Sequence, residues 1–220
     1  MSFLSSQSFV ERLRSFVTGP RAEADLRRYF GVEMAEAPFD GAFFEGLGGG
    51  GDRPDVVDVI TAEDLIAVQA LSVRVPTSVM VDIFEGPLGA ELADLLRAIP
   101  ADLDMAEADL THLQDGSPAD QAWRLLEKQS GVGWVTAGKL LARKRPRLIP
   151  VYDRVVRCAL GRPDDFWLAL HAALRVDGAV LQRSLLELRE AAGVPDRVSA
   201  LRVCDVVVWM QHRDEHQNCP

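Results

Sequence analysis

The chain has 220 residues, 48% of them apolar and 26% charged, with three cysteines and a net charge of −9. This is the ordinary globular mix, with length enough for a substantial core; it excludes disordered and fibrous classes, and three widely spaced cysteines argue against a disulfide framework. The longest apolar run, Val203 to Met210 broken by Asp205, is far short of the roughly 20 residues that span a bilayer, and the start Met-Ser-Phe-Leu-Ser-Ser-Gln lacks the basic lead of a signal peptide, so no membrane partner and a cytoplasmic location are expected.

Helical periodicity covers Ser5–Val17 and Arg21–Phe30, separated by the stop signal Thr18-Gly19-Pro20. Pattern is lost from 35 to 55, where Phe39, Phe43 and Phe44 precede the run Gly46-Leu47-Gly48-Gly49-Gly50-Gly51-Asp52. That run has neither the Lys-Ser or Lys-Thr nor the helix start of a phosphate loop, and it reads as a flexible surface loop. Thr61-Ala62-Glu63-Asp64 predicts an N-cap with an acidic first turn, opening a helix to about Val73. Ser78–Phe84 fits a strand or a helical turn. Leu88–Ile99 is helical, with Leu92, Leu95, Leu96 and Ile99 on one face, and Pro100 stops it. Residues 101–116 are acidic and loop-like.

From Ser117 the local signals sharpen. Ser117-Pro118-Ala119-Asp120 places an N-cap, a proline at the first helical position and an acid at the third. The helix runs to Gln129 with Ala122, Leu125 and Leu126 inward, and Ser130-Gly131-Val132-Gly133 makes a turn. A second helix, Trp134 to about Lys144, buries Ala137, Leu140 and Leu141, while Lys139 and Arg143 share another face. Pro146 and Pro150 bracket an extended link. Further helices are predicted at Tyr152–Leu160, Pro163–Leu174, Ala179–Ala191 and Ser199–Gln211, punctuated by Gly161, Gly178 and Gly193. The predicted fold is mainly α, a compact helical domain containing a helix–hairpin–helix unit.

Charge divides the chain. Residues 1–116 hold 21 acids and 8 bases, residues 117–220 hold 12 acids and 16 bases, and eight bases fall between Lys139 and Arg162 against one acid. Residues 1–116 thus form an acidic helical part and 117–220 an all-α part with a basic working surface, packed as one compact unit.

In the turn, Gly131 and Gly133 let the backbone approach another surface and leave amide N–H groups uncovered at the start of the second helix. Amides and helix dipole together favour a phosphate. Lys139, Arg143, Lys144, Arg145 and Arg147 add positive charge, so this set is the candidate phosphate-binding site, and DNA is the candidate partner. A tight helix connector beside a solvated basic face accounts for the same residues.

The stretch Gly131-Val132-Gly133-Trp134-Val135-Thr136-Ala137, followed by Ile149-Pro150-Val151-Tyr152-Asp153-Arg154-Val155-Val156-Arg157, resembles the core signature of the helix–hairpin–helix DNA glycosylases. The resemblance covers about 45 residues. It implies that Asp153 is the catalytic carboxylate, stabilising positive charge on the sugar as the base leaves. It also implies aromatic walls for a flipped base, with Trp134 and Tyr152 the first candidates and Trp123 and Trp167 behind them. Val135 stands where lyase-competent members carry lysine, which implies a monofunctional hydrolase without Schiff-base chemistry. Tyr152 interrupts the family's direct Val-Asp junction, and the four-cysteine iron–sulfur loop is absent. The segment Leu201–Met210 resembles that of an uncharacterised bacterial family.

Asp153 equally fits the N-cap of the helix that follows it, or a partner for Arg157 one turn on. Cys158 and Cys204 read as small core side chains. His212, His216 and Cys219 have metal-ligand spacing but lie in the last nine residues, so no metal and no cofactor is assigned. The leading expectation is a DNA-binding protein; the alternatives are a non-enzymatic scaffold with a protein or dimer partner, and an active glycosylase.

Overall fold

A computed structural model describes residues 6–33 and 38–215, and among these the secondary structure is helical with no strand. The helices are α1 (Ser6–Val17), α2 (Ala22–Phe30), α3 (Ala62–Ala67), α4 (Thr77–Glu85), α5 (Pro87–Arg97), α6 (Pro118–Glu127), α7 (Trp134–Lys144), α8 (Arg154–Leu160), α9 (Phe166–Ala191) and α10 (Ala200–His212). Short 3-10 turns at Asp40–Phe43, Leu47–Gly49, Val68–Leu71 and Leu110–His112 complete the set. The ambiguous segment at 78–84 is helix: α4 starts directly after Pro76, which cannot continue a strand ladder and is at home beside a helix start.

By packing, the chain forms two units whose segments alternate along the sequence. One comprises Met1–Phe39, Met105–Glu107 and Tyr152–Pro220; the other comprises Asp40–Asp104 and Ala108–Val151. Charge asymmetry follows the linear chain, whereas compactness follows packing, and the helices of one unit come from both chain ends.

In the first unit α10 is the centre. Every residue from Ala200 to Val208 is buried, with α1, α2, α8 and α9 around it. A helix apolar on all sides belongs inside, which accounts for the unbroken valines. Its two buried charges, Arg202 and Asp205, pair with each other, and Arg202 Nη2 also donates to the Tyr29 hydroxyl oxygen at 2.7 Å. The pairing satisfies ions that burial would otherwise destabilise severely. Helix α9 contains a break, with Asp177, Gly178 and Ala179 all left-handed, which separates the two predicted helices at the predicted glycine. Cys204 is a free core thiol, and burial pushes its pKa up. Cys158 departs from expectation. It is partly exposed on α8, disulfide-bonded, and its Sγ lies 2.7 Å from His212 Nε2. His216 and Cys219 lie outside the described residues; within them no cluster of three His, Cys, Asp or Glu could hold a metal.

The second unit stacks α4 on α5, α5 on α6 and α6 on α7, with α3 and the Val68–Leu71 turn against α7. Local rules place the helix starts. The Thr61 hydroxyl accepts from Asp64 N, the Asp64 carboxylate accepts from Thr61 N, and the Ser117 hydroxyl accepts from Asp120 N. Among the described residues no helix is long and apolar enough to cross a membrane.

Candidate functional site

Helix α6 ends at Glu127, and its last turn closes as Gln129 N donates to the Leu126 carbonyl. Val132 N then reaches back to the Gln129 carbonyl at 3.0 Å. Gly131 has φ +80°, the left-handed region that glycine enters without strain, and an added Cβ there would lie 2.8 Å from Pro76 Cγ. Val132 turns inward and is buried between the helices. Trp123 Nε1 donates to the Trp134 carbonyl at 3.3 Å, which ties α6 to the start of α7. The Trp123 indole is therefore engaged in holding this junction, whereas Trp134 contributes only its backbone carbonyl to that bond.

Gly133 is the N-cap of α7, extended at φ −90° and ψ 172°, and no side chain caps the helix. Both glycines are exposed, and a Cβ on Gly133 would meet nothing within 4 Å. The turn thus presents an amide-lined helix start with open space before it. Such a helix start carries the positive end of the helix dipole.

The basic run does not face the same way. Lys139, Arg143, Lys144 and Arg145 are 5%, 2%, 0% and 1% exposed, so the expectation that they line a phosphate-binding surface is corrected. Each is bound by the protein's own acceptors. Arg143 Nε donates to Asp64 Oδ1 at 3.0 Å, Nη1 to the Phe44 and Glu45 carbonyls, and Nη2 to the Leu47 carbonyl. Lys144 Nζ donates to Asp64 Oδ2 at 2.8 Å and to the Val56 carbonyl at 2.9 Å. Burial pulls the Lys144 ammonium below its ordinary pKa, and the Asp64 hydrogen bond opposes that shift. Arg145 spreads its fork over the carbonyls of Ile99, Val57, Lys144 and Leu96 and the Asp58 carboxylate. Lys139 Nζ donates to the Leu71 carbonyl at 2.8 Å. Arg147 alone of the five is exposed, and it pairs with Asp104.

The acceptors bear on the Gly-rich segment, expected as a flexible surface loop: Gly48, Gly49 and Asp52 are exposed, whereas its end at Gly50 and Gly51 is drawn inward. The carbonyls of Phe44, Glu45, Leu47, Val56 and Val57 are among those these cations grip. Gly50 and Gly51 are buried, and a Cβ on Gly51 would come within 2.5 Å of the Arg143 carbonyl oxygen and 2.7 Å of Asp64 Oδ1. Glycine is required there for close approach. An irregular segment without helix or sheet partners leaves carbonyls to satisfy, and buried guanidinium groups satisfy several each.

Asp153 is the N-cap of α8. Its Oδ1 accepts from Val155 N at 3.0 Å and Val156 N at 3.1 Å, which is the capping role its position allowed. It belongs to the first unit, whereas the hairpin belongs to the second. Tyr152 stacks on Phe166 with ring centres 3.7 Å apart and donates its hydroxyl to the Gly161 carbonyl. One ring face of Tyr152, expected as a wall for a flipped base, is thus covered by Phe166. Burial pushes its phenol up to about 12.

That shift has a testable sign. A folded pKa above the unfolded value of about 10 stabilises the fold fully below pH 10, and this contribution is lost as pH rises through 12. With Tyr29 changed to Phe, Tyr152 is the chain's single tyrosine. Its phenolate absorbance should then appear only near pH 12, with stability falling between pH 10 and 12. A midpoint near 10 in the folded protein would contradict the buried, stacked placement.

Residues 22–212 match a family of unknown function (DUF6308). No curated protein and no solved structure matches the chain.

Proposed function

The chain belongs to the family of unknown function DUF6308, and we propose that it is a nucleic-acid-binding protein whose α6–turn–α7 segment acts as a helix–hairpin–helix unit on the phosphate backbone. The observation that carries this reading is the exposed, side-chain-free start of α7 behind Gly131 and Gly133. Amide N–H groups there are donors of fixed direction, added to the positive end of the helix dipole. Lys128, three residues before Gly131, and Arg74, two residues before the Pro76 that packs on Gly131, are exposed bases next to the turn. The glycosylase resemblance of Gly131–Ala137 points in the same direction. Contacts of this kind fix a backbone without reading bases, so binding should be indifferent to sequence and steeply weakened by salt. The buried cations enter only as the scaffold that fixes α7.

The test is Gly133→Val. The backbone at Gly133 is extended and its surroundings are open, so valine is tolerated and Tm should move by no more than about 1 °C. Its branched side chain would screen the amides, and duplex affinity measured by anisotropy at low salt should fall about tenfold or more. Gly131→Ala is the counterpart. It forces Cβ onto Pro76 at positive φ and should lower Tm as well as affinity. If the parent protein binds no duplex or single strand at low salt, or Gly133→Val binds as the parent does, the reading fails and a protein partner takes its place.

A further inference from the structure

The first unit contains an aromatic cluster that the hairpin reading leaves unused. Tyr29 on α2 stacks on Phe39 with ring centres 5.4 Å apart and planes 7° from parallel. Trp209 on α10 stands edge-on to both, at 6.0 Å from Tyr29 and 5.8 Å from Phe39, with its plane 81° from that of Phe39. Phe39 and Trp209 thus form a right-angled corner, and both are only partly buried. The guanidinium carbon of Arg213, one residue past the end of α10, sits in it, 4.9 Å from the Phe39 ring centre and 5.4 Å from that of Trp209. Two ring faces at right angles present two negative quadrupole faces to one cation, which is how aromatic cages select ammonium and guanidinium groups.

A second feature lies beside the corner. Asp25 on α2 is 6% exposed, and its buried Oδ2 has no hydrogen-bond partner among the described residues. Burial raises its pKa, and the nearby guanidinium groups of Arg21, Arg28 and Arg213 pull it back. A buried carboxylate oxygen without a donor has unused capacity for a cation's N–H, and a buried polar atom left this way is destabilising. The Arg213 side chain is itself about a quarter exposed, so the occupant is reachable from solvent.

We propose that Phe39 and Trp209, with Asp25 behind them, form a guanidinium-binding site that this chain fills with its own Arg213 and that a guanidinium from outside can take instead. The shared ligand chemistry is a planar cation, carried by an arginine side chain of another polypeptide or by a small guanidinium compound. Arg213 then acts as an intramolecular competitor, lowering the apparent affinity for the external group by the fraction of time it occupies the corner.

The experiment uses the full chain with Arg213→Ala, and Arg213→Gln as a second variant that keeps the stem over the rings while removing the charge. Each is melted with increasing ethylguanidinium, with ethylurea as the uncharged isostere, and with the tripeptide acetyl-Gly-Arg-Gly-amide. Ethylguanidinium should raise Tm by about 2–4 °C with saturation in the tens of millimolar, and ethylurea should not. The rise should vanish in Arg213→Ala/Trp209→Leu. A tripeptide that acts at lower concentration than ethylguanidinium identifies a polypeptide source; equal potency identifies the small compound. If ethylguanidinium does no better than ethylurea in both single variants, or the double variant responds equally, the corner is packing and the proposal is wrong.

Discussion

Asp64→Ala is expected to destabilise the unit built from 40–104 and 108–151 by about 3–5 kcal/mol. The carboxylate is 1% exposed and serves three donors: Arg143 Nε, Lys144 Nζ and the Thr61 backbone N–H. Deleting it leaves two cations in the interior without a counter-charge, and removing one partner of a buried pair is far worse than replacing the whole pair. It also abolishes the capping box that starts α3. Against a typical total of 5–15 kcal/mol this is a large fraction. Urea unfolding followed by circular dichroism is the measurement. A midpoint displaced no further than in Asp55→Ala would show that the triad does not hold the unit. Asp55 is the control because its bridge to Arg53 is largely exposed and worth little.

Arg145→Lys is expected to lower Tm by about 10 °C or more despite keeping the charge. The Arg145 guanidinium makes five contacts spread over three of its nitrogens, reaching Ile99 and Leu96 on one side and Val57 and Asp58 on the other. A lysine ammonium is one point with three donors at the end of a flexible stem, so it cannot serve both sides. At least two buried carbonyls lose their donors, each costing about 1–3 kcal/mol. Lys128→Arg, on the exposed turn after α6, should leave Tm unchanged. A lysine variant at 145 that melts with the parent would mean the fork's geometry is irrelevant and only its charge is used.

The basic run illustrates why the sequence spoke clearly about some features and misleadingly about others. Helix starts were legible because their causes lie within three or four residues: Thr61 with Asp64, Ser117 with Asp120, Asp153 with Val155 and Val156, and Ser199 with Arg202. The turn at 130–133 was legible for the same reason, since two glycines around an inward valine specify a reversal by local geometry alone. So was the break in α9 at Gly178.

Burial of Lys139, Arg143, Lys144 and Arg145 had no such local cause. Their acceptors are the Asp58 and Asp64 carboxylates and carbonyls between Phe44 and Ile99, separated from them in sequence by 46 to 99 residues apart from the Lys144 carbonyl that Arg145 also takes. A dense row of bases looks the same on paper whether it is matched by external phosphates or by the protein's own carbonyls, because charge density records the donors and says nothing about the acceptors. The Gly-rich segment shows the mirror image: glycine permits flexibility, but at Gly51 it also permits a close approach to Arg143, where an added Cβ would lie 2.5 Å from the carbonyl oxygen. Each feature was the other's explanation, and only the tertiary structure brought donors and acceptors together. The sequence by itself determined where helices begin, turn and stop; which charges face water was decided by long-range packing, where an irregular segment's unsatisfied carbonyls draw the cations inward.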